Sequence, residues 1–221
     1  MMVNGVRLTC DPSGALWWPE RRTLVLADLH LEKGSGLAAA GAGLLPPYDT
    51  RATLGRIAML FRRYRPAATI CLGDSFHDGE AGERLSEEDA IRLRRLTAAT
   101  DWIWIEGNHD PEPPRHLGGR VLAEFADGAL HFHHRPTGEA AGEVAGHLHP
   151  KAAVRVRGRR LARRCFVTDG SRLVLPAFGA YAGGLCVLDV AFHALFRRNF
   201  HAWMLGENEV VPVQAGRLEP V

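Results

Sequence analysis

Five short segments carry most of the chemistry this sequence can do: Asp28-Leu29-His30, Gly73-Asp74, Gly107-Asn108-His109-Asp110, His134-Arg135-Pro136 and Gly146-His147-Leu148-His149. Each ends or follows an apolar run that predicts a β-strand, at residues 23–27, 69–72, 102–105, 130–132 and 144–145. Strand ends that all present ligands to one sheet edge are how an α/β enzyme builds a site. Carboxylates suit hard divalent ions, and imidazole draws the choice toward Mn²⁺, Fe²⁺ or Zn²⁺. The mixed set Asp28, His30, Asp74, Asn108, His147 and His149 therefore reads as a transition-metal set.

Two such ions about 3.5–4 Å apart clamp phosphoryl oxygens and lower the pKa of a bound water to roughly 7. The fourth segment leaves a choice open. His131, His133 and His134 crowd one strand end, and strand alternation puts His131 and His133 on one face and His134 on the other. His109, next to Asn108, is a candidate to steady the transition state or protonate a leaving alkoxide; its other reading is a hydrogen-bond partner for Asp74. Asp110 is a candidate to fix the His109 tautomer. His77, three residues past Asp74, is either a phosphate or metal-water contact or an ordinary loop histidine.

The elements that must position these groups begin as β-α-β units. A helix is predicted over residues 49–64, with Asp49 or Thr50 as cap, Leu54, Ile57, Ala58 and Phe61 at helical spacing, and Pro66 as stop. A second is predicted over 86–99, opened by Ser86 and Asp89 at capping-box spacing. A Gly/Ala-rich stretch runs from Gly34 to Gly43. After His134 the pattern turns strand-rich, with short strands expected at 152–156, 164–168, 172–175, 185–190 and 194–196. The expectation is one domain, residues 1–221, with two sheets face to face and helices outside.

Composition is that of a globular protein, 46% hydrophobic and 24% charged. The four cysteines are isolated and read as small buried hydrophobes. Residues 1–19 lack signal-peptide character and no apolar run approaches bilayer length, so the expectation is a cytoplasmic protein with no membrane partner. Net charge is only +2. Arginines nevertheless cluster at 155, 157, 159, 160, 163 and 164, with Lys151 ahead of them, just after the last histidine pair. Such a run either holds a phosphate backbone or is a solvated face.

In order and spacing the five segments resemble the calcineurin-like metallophosphoesterase family, whose pattern is D-x-H, G-D, G-N-H-[DE], H and G-H-x-H. The resemblance implies an α/β four-layer α-β-β-α sandwich. It also implies that Asp28, His30 and His149 hold one metal, that Asn108, His134 and His147 hold the other, and that Asp74 bridges them. The family's ligand two residues before a proline favours His134 over His133. A metal-bridging hydroxide attacking phosphorus is the implied mechanism.

Three further segments, 28–34, 45–50 and 176–185, are similar to the bacterial ligase-associated DNA damage response endonuclease subfamily, and the similarity spans about residues 23–190. That likeness implies a manganese-dependent phosphodiesterase or endonuclease acting on DNA, single-stranded or at ends, beside a DNA ligase and a helicase; Fe²⁺, Zn²⁺ or Mg²⁺ are the other metals to consider. Within these segments Lys33 reads as a phosphate contact or as a salt bridge to the sheet edge, and Phe178 or Tyr181 as base-stacking groups or as core aromatics. The alternative is a phosphodiesterase or phosphomonoesterase of nucleotides or other small molecules. A ligand-depleted scaffold is disfavoured because no motif residue is missing.

Overall fold

The computed structural model describes residues 1–42, 45–46, 48–197 and 199–221. A small hairpin of β1 (Met2–Val3) and β2 (Val6–Arg7) leads into a six-stranded sheet: β3 (Thr9–Cys10), β4 (Leu16–Trp18), β5 (Thr23–Leu26), β6 (Ala68–Leu72), β7 (Asp101–Ile105) and β8 (Arg120–Leu122), in that spatial order. Strands β5 to β8 run parallel, and β3 and β4 extend the sheet antiparallel.

The second sheet holds β9 (Phe125–Asp127), β10 (Leu130–His133), β11 (Glu143–Ala145), β12 (Pro150–Val156), β13 (Arg159–Thr168), β14 (Leu173–Val174), β15 (Leu185–Cys186), β16 (His201–Leu205) and β17 (Val210–Gln214). Its main path runs β15-β12-β13-β14-β11-β10-β9, and the β16–β17 hairpin pairs with the far half of β13.

Alternation along the strands decides the layers. Val25, Ala27, Ile70, Leu72, Ile103 and Ile105 point from the first sheet into a core shared with Leu130, Phe132, Val144, Phe166 and Leu173 of the second. The intervening Leu24, Leu26, Cys71, Trp102 and Trp104 face α2 (Asp49–Tyr64) and the later helix Glu87–Ala98, through Leu54, Ile57, Leu60 and Leu93. On the second sheet, Cys165, Val167, Val174 and Ala202 face the short helix Val190–Phe196 through Phe192 and Phe196. The order is thus helices, sheet, sheet, helix, the expected four-layer α-β-β-α sandwich. Each fully buried Leu, Ile or Phe in these seams contributes about 1.5–3 kcal/mol.

Helices are numbered α1 (Lys33–Ala39), α2, α3 (Ala81–Arg84), α4 (Glu87–Ala98) and α5 (Val190–Phe196). The α2 boundaries match the periodicity, and Arg65 closes the helix in a left-handed turn before Pro66. Ser86 caps α4, its Oγ accepting from Asp89 N at 3.1 Å and donating to the Asp89 carboxylate.

Three expectations change. Asp49 and Thr50 do not cap α2; their side chains reach back to the start of α1, where Asp49 accepts from Gly34 N and Thr50 Oγ1 from Glu32 N. That satisfies two N–H groups that a helix start leaves without partners. The strand expected at 194–196 is the end of α5, and the one expected at 185–190 stops at Cys186. Asp189 caps the helix by accepting from Ala191 N, and Phe192 and Phe196, four apart, form its buried face. The Gly/Ala-rich stretch contains α1, although Gly43, like Pro47 of the 45–50 segment, lies outside the described residues. All four cysteines are free, with Cys71 and Cys165 buried and Cys10 and Cys186 half-buried. Among the described residues no helix is long and apolar enough to cross a membrane.

Candidate metal centre

The loops that leave β5, β6, β7, β10 and β11 meet at one edge of the two sheets. They are tied to each other through backbone. Asp28 N donates to Gly73 O at 3.3 Å, His30 N to Asp74 O at 2.9 Å, and Gly146 N to His134 O at 3.0 Å. Asp28, His30, Asp74, His147 and His149 all adopt positive φ, between 44° and 68°. Non-glycine residues in that region carry strain of about 1–3 kcal/mol each, and such strain concentrates at functional sites. Two motif glycines are required by close approach. A side-chain carbon at Gly73 would collide with the His134 ring, and one at Gly107 with Asp74 and Asp110.

Beside a histidine trio of His30, His77 and His109, two groups of ligand atoms built on carboxylates result among the described residues. Asp28, His30 and His149 converge in the first, with His30 Nε2 3.3 Å from His149 Nε2, which lies 3.5 Å from Asp28 Oδ1. Asp74, His134 and His147 converge in the second. Here His134 Nδ1–H donates to Leu72 O at 2.9 Å, so Nε2 presents its lone pair inward. That lone pair meets Asn108 Oδ1 at 2.9 Å, His147 Nδ1 at 3.2 Å and Asp74 Oδ1 at 3.4 Å. Imidazole nitrogens, an amide oxygen and a carboxylate oxygen converging at these distances are the kind of donor set that holds a divalent cation. The donor set thus fits a pair of divalent metals.

Electrostatics agree. Burial, with the neighbouring charges of His149, Lys33, His109 and His77, pulls the His30 pKa down to about 2, so its imidazole is neutral and free to ligate. Burial, with His134 and Arg135, likewise lowers His147. Asp28 is fully buried, and both its oxygens accept from His147 N at 3.0–3.1 Å.

The structure separates the crowded histidines: His134 enters the cluster, whereas His133 turns outward to Glu124 at 3.4 Å. His109 N donates to Asp74 Oδ1 at 3.0 Å, and its ring stays 44% exposed with Nε2 4.0 Å from Asp74 Oδ2. Its Nδ1–H donates to His77 O at 2.9 Å. The His77 backbone therefore sets the His109 tautomer, and the role expected for Asp110 is corrected. Asp110 is buried and accepts from Ser75 N and Phe76 N at 2.9 and 3.0 Å, which fixes the loop carrying Asp74. Burial and the adjacent Asp74 push its pKa up to about 7 against those two N–H groups.

The His77 ring stands beside the first group, stacked 5.7 Å from His109 and edge-on to His30 at 5.8 Å, with a buried Nδ1 that has no hydrogen-bond partner among the described residues. Phe178 is not available for stacking on a base: it is fully buried, with the Arg56 guanidinium 4.6 Å from its ring. Tyr181 donates its hydroxyl to Pro46 O at 2.7 Å. Of the arginine run, Arg155 pairs with Glu219 and Arg160 donates to Pro220 O, so both are bound to the C-terminal segment.

Fold and site together define a metal-dependent phosphoesterase. The calcineurin-like phosphoesterase family model matches residues 21–160, and the chain belongs to that family, which is built around a binuclear metal centre. Among solved structures, the chain is similar to the Pseudomonas putida nuclease MPE, with 27% identity, a TM-score of 0.74, and 96% of this chain and 98% of that one covered. A second match is Yfce, a phosphoesterase from E. coli, at 13% identity and a TM-score of 0.42, covering 87% of this chain and 98% of that one. No curated protein sequence matches the chain.

Proposed function

We propose that this protein is a phosphodiesterase that cleaves DNA, an endonuclease of the ligase-associated repair type, working in the cytoplasm with a DNA ligase and a helicase. The observation that carries the reading is the pair of acceptor clusters at the sheet edge, which leaves the His109 ring exposed beside them. Support for DNA as substrate comes from the 27% identity, over nearly the full chain, to a protein described as a nuclease. The 28–34, 45–50 and 176–185 segments point the same way.

Asp28, His30 and His149 would hold one metal and Asn108, His134 and His147 the other, with Asp74 between them; Mn²⁺ is the proposed ion. When bound, the metals supply Lewis-acid polarisation of a phosphoryl oxygen and an ionised water near neutral pH. The chain's own groups do the rest. Leu72 O and His77 O hold the His134 and His109 rings in the tautomers that aim Nε2 inward. His109, exposed at the mouth, is placed to carry a proton at Nε2 and deliver it to the departing alkoxide. His77 lines the approach and is placed to contact substrate phosphate.

The test is hydrolysis of a chromogenic diester, a monoester and single-stranded DNA by metal-stripped protein resupplied with Mn²⁺, Fe²⁺, Zn²⁺ or Mg²⁺. Diester and DNA cleavage restored best by Mn²⁺ is expected. Turnover of the monoester alone would overturn the nuclease reading.

A further inference from the structure

Lys151, Arg164 and Arg56, which cluster near the metal centre, have no acidic partner among the described residues. Lys151 lies two residues past His149 and pairs across the sheet with Arg164. Alternation puts both on the β12–β13 face that carries Phe166 toward the first sheet. Arg164 Nη1 donates to Ala177 O, and Arg56, reaching from α2, donates to Phe178 O. Each guanidinium thus spends one donor on a backbone carbonyl and keeps the rest of its fork. Lys151 makes no side-chain hydrogen bond or ion pair among the described residues. Most other arginines that make ion pairs, such as Arg63, Arg84, Arg120 and Arg155, meet carboxylates at hydrogen-bond distance.

The backbone that the two arginines grip also forms a wall of the metal site. Phe178 N donates to Ala27 O and Gly179 N to Asp28 O, at 2.8 and 3.1 Å. The approach is so close that a side-chain carbon at Gly179 would strike Leu29 O. Farther along the same loop, one at Gly184 would meet Lys151 and the His149 carbonyl. Burial, with the charge of Arg164, draws Arg56 down to about 10, and burial lowers Arg164 as well. An anion between them relieves that cost, and a phosphate matches a guanidinium fork.

We propose that Lys151, Arg164 and Arg56 form a phosphate subsite that holds the backbone of a DNA strand beside the scissile diester, on the Asp28–His149 side of the metal centre. This places the strand at the root of the β12–β13 hairpin and not along its arginine-rich tip. The assignment rests on the nuclease reading above.

The experiment follows the anisotropy of a fluorescein-labelled single-stranded oligodeoxynucleotide bound to the chelator-treated full-length chain over a range of KCl. Mn²⁺-loaded turnover of the same oligonucleotide and of a small chromogenic diester is measured alongside. Lys151→Gln, which removes no hydrogen bond or ion pair among the described residues, should flatten the logarithmic salt dependence of binding by about 0.7, and Lys151→Gln with Arg164→Gln by about 1.4. Arg164→Lys should restore the slope of the single variant. Paired changes at the tip, Arg157→Gln and Arg159→Gln, should leave the wild-type slope.

A wild-type slope in Lys151→Gln and Arg164→Gln, or flattening by the tip pair instead, overturns the subsite while the nuclease reading stands. Equal losses on the oligonucleotide and the small diester would make the arginines a loop clamp only and also overturn it. A wild-type protein that turns over the diester yet neither binds nor cleaves the oligonucleotide overturns the nuclease reading, and the subsite with it.

Discussion

Two buried clusters of charged groups in this molecule are built on opposite logic. At the corner where the N-terminal segment meets α2, Asp11 is buried with every demand met: Oδ1 accepts from Ser13 N at 2.9 Å, and Oδ2 from Tyr64 Oη at 2.7 Å and Arg63 Nη1 at 3.0 Å. At the metal edge, Asp28 and Asp74 are buried just as deeply, but they face imidazole nitrogens that face one another, on a backbone held in left-handed turns. The first arrangement stabilises the chain by itself. The second costs free energy until something positive is added, which is what separates a binding site from a structural knot.

Metal removal should break that comparison most visibly. Because the metals bind the folded chain, stripping them should lower the melting temperature, with about 2.7 kcal/mol of stability recovered for each site filled at a hundredfold excess over its Kd. Calorimetry with and without chelator checks this. An apo protein that melts like the loaded one would mean the metal edge is as self-sufficient as the Asp11 corner.

Within the metal edge, His109→Ala should lower kcat by about 10²–10⁴, the usual range for a general acid, while metal content by elemental analysis stays near that of the wild type. Diesters with good leaving groups should lose least. Loss of metal in this variant would move His109 into the ligand set.

The smallest effect belongs to the satisfied corner. Asp11→Asn should cost about 1–3 kcal/mol at neutral pH, read from urea unfolding, since it removes a charged acceptor shared by Arg63 and Tyr64. Although burial acts to raise the Asp11 pKa, the hydrogen bonds from Tyr64 and Ser13 and the charge of Arg63 outweigh it, and the folded pKa is lowered. The unfolded value is about 3.9. A lowered folded pKa contributes stability that is present above pH about 4 and lost as pH falls through the folded value. The gap between wild type and Asp11→Asn should therefore be constant near neutrality and close in acid. A gap that widens in acid would contradict the assignment.

The sequence alone determined what depends on near neighbours. The five ligand segments were legible because each joins a strand-forming run to a polar terminus, and α2 was legible from one periodic face and a proline stop. Where local signals were equivocal the tertiary structure decided. The seven residues of α5 contain short apolar runs that suit strand or helix, and packing of Phe192 and Phe196 on the second sheet settled them as helix. Asp49 and Thr50 look like caps for the helix they open, yet they serve α1, which the chain brings alongside.

At the site, spacing could not reveal that Asp110 clamps the Asp74 loop, that His77 O orients His109, or that Arg56 and Arg164 meet at Ala177 and Phe178. Those pairings join residues 13–122 positions apart, and no local pattern encodes them. Chemical identity and handedness of turn are properties of a few adjacent residues; which nitrogen faces which oxygen is set only when the two sheets close on a common edge.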